Sequence, residues 1–212
     1  MRIKFIASLL KGANTVLDIG TDHAKVLIEA LKSGYIKKGI GSDVNKGPLK
    51  NALKNIDKAQ LNDKITLVQS DGFKKITNSY DVVVITGMGY ELIKSILQQD
   101  HQAPKYYLLG AHYQVELLRK YLAEHNYQII DEYLFFEKKY YLFLKVINKK
   151  ALLEEEDYYL GPILKTKQEA LPYYKDELDK LLKIKEHHRS NQIKKQISLL
   201  KEAITNLERQ QN

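Results

Sequence analysis

The chain has 212 residues, 44% of them apolar and 28% charged, enough to bury a real core and outside the disordered and collagen-like classes. The absence of cysteine excludes disulfides, thiolate metal sites and a cysteine nucleophile. No stretch approaches the roughly 20 uncharged apolar residues that cross a bilayer, so a cytoplasmic protein without a membrane partner is expected.

The net charge of +8 is uneven. Residues 1–150 hold 23 basic and 15 acidic side chains, residues 151–212 eleven of each. Thirty of the 34 basic residues are lysines, which suit sequence-independent phosphate contact and equally suit bulk solubility.

Short β-branched runs at 15–19, 39–44, 65–68, 81–85 and 106–109 alternate with helical patterns at 24–33, 46–58, 89–98 and 113–124. Strands and helices alternating at these lengths imply βαβ crossovers and a doubly wound α/β domain. Residues 127–136 and 140–147 are two further strand-like runs, and the three residues between them are too few for a crossover helix, so they must pair antiparallel. A mostly parallel seven-stranded sheet ending in such a hairpin is the chain order of Rossmann-like methyltransferases that use S-adenosylmethionine (SAM). From Leu152 the chain reads as helical to its end. Ile193, Ile197, Leu200, Ile204 and Leu207 form a heptad seam, and Leu164, Leu171, Tyr174, Leu178 and Leu181 a looser one, interrupted by Pro172. The expectation is a SAM-dependent methyltransferase domain at 1–150 and an antiparallel helical coiled-coil domain at 151–212, turning near His187 to Asn191.

Ligands of an open parallel sheet bind beyond the carboxyl ends of its strands, and these ends are polar here. The first gives Asp18, Gly20, Asp22 and His23, the second Asp43 and Val44, the third Asp71 and Gly72, and the fourth Thr86, Gly87, Met88 and Gly89. Gly20 permits a tight turn against a cofactor, Asp43 can accept two ribose hydroxyls, and Asp71 can receive an adenine amine. Acidic groups where a dinucleotide fold carries glycines would repel a diphosphate, whereas Asp18 and Asp22 suit a ligand with a sulfonium and an ammonium. The plain alternatives are that Asp22 caps the following helix and that Gly87-Met88-Gly89 is only a turn with Met88 in the core. Tyr90, His112 and Tyr113 are candidates to stack on a base, while Tyr140 and Tyr141 read as sheet packing. His187 and His188 read as a solvated turn, so no metal is expected.

The string Asp18-Ile19-Gly20-Thr21-Asp22-His23-Ala24, with Ser70-Asp71-Gly72, Ile85-Thr86-Gly87-Met88-Gly89, the hairpin and the helical tail, resembles the TrmK-type tRNA (adenine-N1)-methyltransferases, which modify adenine 22 in the D-arm. The resemblance implies SAM as cofactor, held by Asp18, Gly20, Asp22, His23, Asp43, Val44, Asp71, Gly72 and Gly87. It implies tRNA as partner, and Asp22, Thr86, Gly87, Met88 and Gly89 around the reacting base, with Asp22 a candidate proton acceptor. This chain departs from the family pattern at Tyr90, where a glycine is usual, and at Gly110-Ala111-His112, where a Gln-Pro-Asn-like segment is usual. A monomer is expected. A SAM enzyme acting on another RNA base or a small molecule, and a non-catalytic RNA-binding protein of the same fold, remain the alternatives.

Overall fold

The computed structural model describes residues 1–187 and 190–210. A helix the alternating pattern does not announce comes first, α1 (Arg2–Ser8). Seven residues give barely two turns, too short a window for a period to stand out, and its identity as a helix follows from burying Ile6 and Ala7 against the next helix. Then follow β1 (Thr15–Ile19), α2 (Lys25–Lys32), β2 (Lys38–Asp43), α3 (Lys46–Ala59), β3 (Ile65–Gln69), β4 (Val82–Met88), α4 (Tyr90–Leu97), β5 (Tyr106–Ala111) and α5 (Val115–Glu124). The hairpin is β6 (Tyr127–Glu137) and β7 (Lys139–Asn148), and the tail is α6 (Glu155–Leu160), α7 (Leu171–His187) and α8 (Asn191–Arg209).

The seven strands form one sheet in the order β3-β2-β1-β4-β5-β7-β6. β1 to β5 are parallel, whereas β7 pairs antiparallel with both β5 and β6. The central strands are apolar on both faces, as a sheet covered by helices on both sides requires. Leu17, Ile19, Val83, Ile85, Tyr107 and Leu109 face the α4 and α5 layer, while Val16, Val82, Val84 and Leu108 face the layer of α1, α2 and α3.

The tail departs from the continuous helix expected after Leu152. Gly161, at φ +92°, and Pro162 stop α6, and residues 161–170 hold only two short 3-10 turns, at Leu164–Thr166 and Gln168–Ala170. Leu164 belongs to a turn and not to the α7 seam. The reason is a side-chain competitor for the backbone. Glu132, buried on β6, accepts the N–H groups of Ile163 and Leu164 at 2.9 and 2.8 Å, which a helix would have used internally. Its partner is the equally buried Arg119 of α5, whose Nε donates to Glu132 at 3.0 Å and whose second nitrogen reaches the carbonyls of Tyr158 and Tyr159.

Beyond this clamp, α7 starts at Leu171 with Pro172 in its first turn, where a missing N–H costs nothing. α8 runs back along it antiparallel, since Lys175 near the start of α7 pairs with Glu208 near the end of α8 at 2.7 Å. Ile197, Leu200, Ile204 and Leu207 are buried on the seam as their spacing requires. Leu200, Ile204 and Leu207 share one apolar cluster with Leu160, Leu164, Tyr174 and the sheet face. His188 and the turn at 188–189 lie outside the described residues.

Candidate active site

In this strand order the chain leaves β1 toward β2 and later leaves β4 toward β5, so the crossovers diverge and open a crevice at the carboxyl ends of β1 and β4. A cleft of about 360 Å³ lies there, in the size range of small-ligand sites. β1 and its loop contribute Asp18, Gly20 and Asp22, β4 contributes Thr86 and Gly87, and β5 contributes Gly110, Ala111 and His112.

The β1 loop is held rigidly in an uncommon backbone conformation. Gly20 has φ +79°, and two non-glycine residues, His23 and Ala24, follow at +63° and +52°. Left-handed backbone at such residues persists only when its surroundings enforce it. The enforcing contacts are the N–H groups of Gly20 and Thr21, both donating to the Ser42 carbonyl at 2.8 Å, and Asn55 of α3, whose amide donates to the His23 carbonyl at 3.0 Å. Asp22 does not cap α2. The residue before that helix is Ala24, with no side-chain cap, and the Asp22 carboxylate stands exposed at the cleft, 3.1 Å from His23 Nε2. Asp18 is buried beneath, accepting from the Thr21 hydroxyl at 2.6 Å. Burial pushes its carboxyl up to about 6, against the opposing effect of that hydroxyl.

The end of β4 is irregular where the chemistry was expected. Thr86 pairs with Gly110 and Met88 with Ala111, so Gly87 is the extra residue of a bulge. It takes φ +82°, and His112 Nε2 lies 3.9 Å from where a Cβ would stand. Burial, then the cations of Lys139 and Arg2, hold the His112 imidazole below its usual range, leaving it neutral at pH 7. Met88 is half-buried, and its methyl lies over the Cα of Gly20. Gly89 caps α4 at an ordinary φ of −76° and does not line the cleft. Tyr90 cannot serve as a stacking platform, because it opens α4 with its ring turned into the core.

The other cofactor candidates form a second group, on the neighbouring strand ends. Asp43 closes β2, its Oδ1 accepting from the Asn45 N–H at 2.7 Å, and Val44 beside it is exposed. Asp71 is exposed and paired with Lys74 at 2.6 Å. Gly72, at φ +60°, leaves space that the Gln99 side chain fills. These residues lie outside the cleft at β1 and β4, one and two strands farther along the same sheet edge. Sequence reasoning missed the opposite wall: Arg2 and Ile3 of α1, Lys25 of α2, and Tyr141 of β7. The Arg2 guanidinium stands 4.3 Å from the centre of the Tyr141 ring. The seven residues of α1 are too few for a helical period to stand out, and nothing in the sequence marks the helix's approach to β7.

No group of three or more histidines, aspartates or glutamates converges as a metal site among the described residues, and no described helix is long and apolar enough to cross a membrane. A crevice at the switch point, lined by carboxylates where phosphate-binding folds place glycines, suits a positively charged adenosine derivative. With β7 inserted antiparallel beside β5, these features define a Rossmann-like SAM-dependent methyltransferase. Comparison with known proteins narrows the class. The family model described as TrmK, tRNA (adenine(22)-N(1))-methyltransferase, matches residues 16–209, and the chain belongs to that family. The Bacillus subtilis tRNA (adenine(22)-N(1))-methyltransferase is 30% identical over 135 residues, 62% of this chain and 57% of that enzyme. The chain also superposes on Mycoplasma capricolum TrmK bound to S-adenosyl-homocysteine (TM-score 0.82, 28% identity, 97% of each chain). A Streptococcus pneumoniae protein solved with S-adenosyl-L-methionine is similarly close (TM-score 0.85, 28% identity, 96% of this chain and 98% of that one).

Proposed function

We propose that this chain transfers the methyl group of SAM to N1 of adenine 22 in tRNA. The observation that carries the reading is the Gly87 bulge, a backbone stretch without a side chain, opening onto a cleft whose other wall carries Asp18 and Asp22. N1 lies on the pairing edge of adenine, so the base must leave its stack and present that edge, and Gly87 leaves room for it.

Adenine N1 is an unprotonated lone pair at neutral pH, and alignment is the main demand on the protein. SAM, when bound, supplies a methyl on a sulfonium, so N1 gains the carbon while the sulfur keeps the bonding electrons as a neutral thioether. Asp18 and Asp22 set negative charge beside the positive donor, with Gly20 and His23 shaping the turn that carries them. Asp43 and Val44, with Asp71 and Gly72, extend the same strand-end edge and are assigned to the donor's nucleoside. The main chain at Thr86 and Gly87 orients the exocyclic amine, the neutral His112 stands over the base, Met88 closes the bulge, and Gly89 joins it to α4. The methylated base is a cation whose amine proton has become acidic, and Asp22, an exposed carboxylate of the cleft, is assigned to accept it.

Residues 1–150 carry this transfer, and residues 151–212 are assigned as the helical domain that extends the contact with tRNA. The reading places the protein in the cytoplasm, acting as a monomer. Mass spectrometry of nucleosides from tRNA transcripts tests it. Incubation with SAM should yield 1-methyladenosine from a transcript with adenine at position 22 and none when guanine replaces it. Methylation of both transcripts, or of another base, overturns the assignment, and SAM binding without methylation of any transcript favours a non-catalytic role.

A further inference from the structure

A second cleft of about 370 Å³ opens beside the first, sharing Ala111, His112, Tyr141 and Leu142 with it. It lies between the loop after β5, the β6–β7 turn and α7, and His112 stands on the boundary between the two. Three of its features are not used by the methyl transfer. Tyr113 is 71% exposed, and its nearest ring is His112, 6.3 Å away and tilted by 56°, so a broad aromatic face is open. Lys139 lies 6.0 Å from the centre of the Tyr113 ring and 5.2 Å from that of Tyr141, and it makes no ion pair among the described residues. On the far wall Lys180 is neutralised by Asp176 and Glu177, and Glu116 and Glu177 also line the space. The cleft is therefore cationic only at its Lys139 end, next to the first cleft.

Taking a base out of a stack deprives its neighbour of a stacking partner. Proteins that bind unpaired RNA replace such partners with aromatic rings and meet the backbone with cations. We infer that the second cleft holds the nucleotide adjoining the target adenine, its base stacked on Tyr113 and the intervening phosphate at Lys139. The acids of the far wall would repel a phosphate and so fix which end of the nucleotide points inward. Tyr113, placed among the candidates for the target base by the sequence, lines only this second space. The inference rests on the tRNA reading above.

The test is a cycle of enzyme and RNA changes read by steady-state methylation, with SAM affinity measured beside it by calorimetry. Tyr113→Ala should raise the KM for tRNA by roughly five- to hundredfold, the span that one base–ring stack provides, and Tyr113→Phe should stay near the parent. SAM affinity should not change in either, and the exposed position makes misfolding a minor concern that circular dichroism checks. A transcript abasic at the one neighbouring position that occupies the cleft should cost the parent a similar factor and cost Tyr113→Ala nothing more. Lys139→Ala should lower the salt slope of tRNA binding by about one. Equal penalties from the abasic site in parent and variant, at both neighbouring positions, would overturn the inference while leaving the methyl transfer intact. A parent that methylates no transcript would instead overturn the function, and this inference with it.

Discussion

On the proposed assignment of Asp18 to the cationic donor, pH should act in opposite directions on the free and bound protein. Asp18 is pushed up to about 6 from an ordinary value of 3.8, so between those values the folded chain holds a proton that the unfolded chain has released. Stability of the free protein should therefore fall as pH rises from about 4 to about 6 and level off above, by up to about 3 kcal/mol. With Asp18 beside the sulfonium as proposed, SAM should favour the ionised form, and its affinity should weaken as pH drops below about 6. Asp18→Asn should raise the melting temperature of the free protein at pH 7, weaken SAM binding and remove both pH dependences; melts at pH 4.5 and 7, with and without SAM, check this. The two glycines at the end of β4 make a sharper pair. Gly87→Ala puts a Cβ on a backbone at φ +82°, costing about 1 to 2 kcal/mol, and intrudes on the base, so methylation should fall well beyond any loss of SAM affinity. Gly89→Ala, with open space around its Cβ, should keep nearly full activity in the same assay. Asp18, Gly20, Asp22 and Gly87 were legible because their chemistry sits at strand ends that the β-branched runs reveal. Arg2 and Tyr141 were not, because only the closing of α1 against β7 makes them neighbours of the cleft.

At the scale of elements, the strands were found within a few residues of their ends because both faces of a covered parallel sheet must be apolar. β4 runs on to Met88 beyond the apolar run because the Gly87 bulge lets pairing with β5 resume. The shortfalls were α1, too short to show a period, and the segment at 161–170, where a helical reading could not foresee that Glu132 would take two of its backbone N–H groups. Nothing in the sequence sets Arg119 and Glu132 apart from ordinary charges of an amphipathic helix and a strand. Both are in fact buried, and removing one partner of such a pair strands the other, so Arg119→Met should cost about 3 to 5 kcal/mol in urea unfolding. Adding Glu132→Leu should restore only part of that, since Ile163 and Leu164 would lose their acceptor. Gly161→Ala should also destabilise, because its Cβ would stand 2.5 Å from Glu132 and 2.6 Å from Arg119 at φ +92°. A Gly161→Ala variant as stable as the parent would show that the clamp can yield.

Over the whole molecule, the positive excess belongs to residues 1–150 while the tail is neutral in sum, so phosphate attraction and shape are divided between the two parts. Removing residues 151–212 outright would uncover Arg119 and Glu132 and should cost SAM and tRNA binding together. A cut that spares the clamp asks a cleaner question. Replacing residues 183–194 by a short glycine-serine link should leave SAM affinity within a few-fold while tRNA affinity falls about tenfold or more, roughly 1.4 kcal/mol, in filter binding at fixed salt. Unchanged tRNA affinity would remove the far end of the hairpin from the recognition surface. The clamp itself has a consequence for how this protein can change over generations. Arg119 and Glu132 grip carbonyls and N–H groups at residues 158–164, atoms that almost every amino acid supplies alike. Beside the shared apolar cluster and the Lys167–Asp131 ion pair, the tail is thus joined to the body through peptide groups, and the joining strip is free to drift in sequence at its half-buried positions. That freedom ends at Gly161 and at the buried Leu160 and Leu164, and a saturation library across the strip should show intolerance at these three sites and tolerance at the half-buried ones beside them.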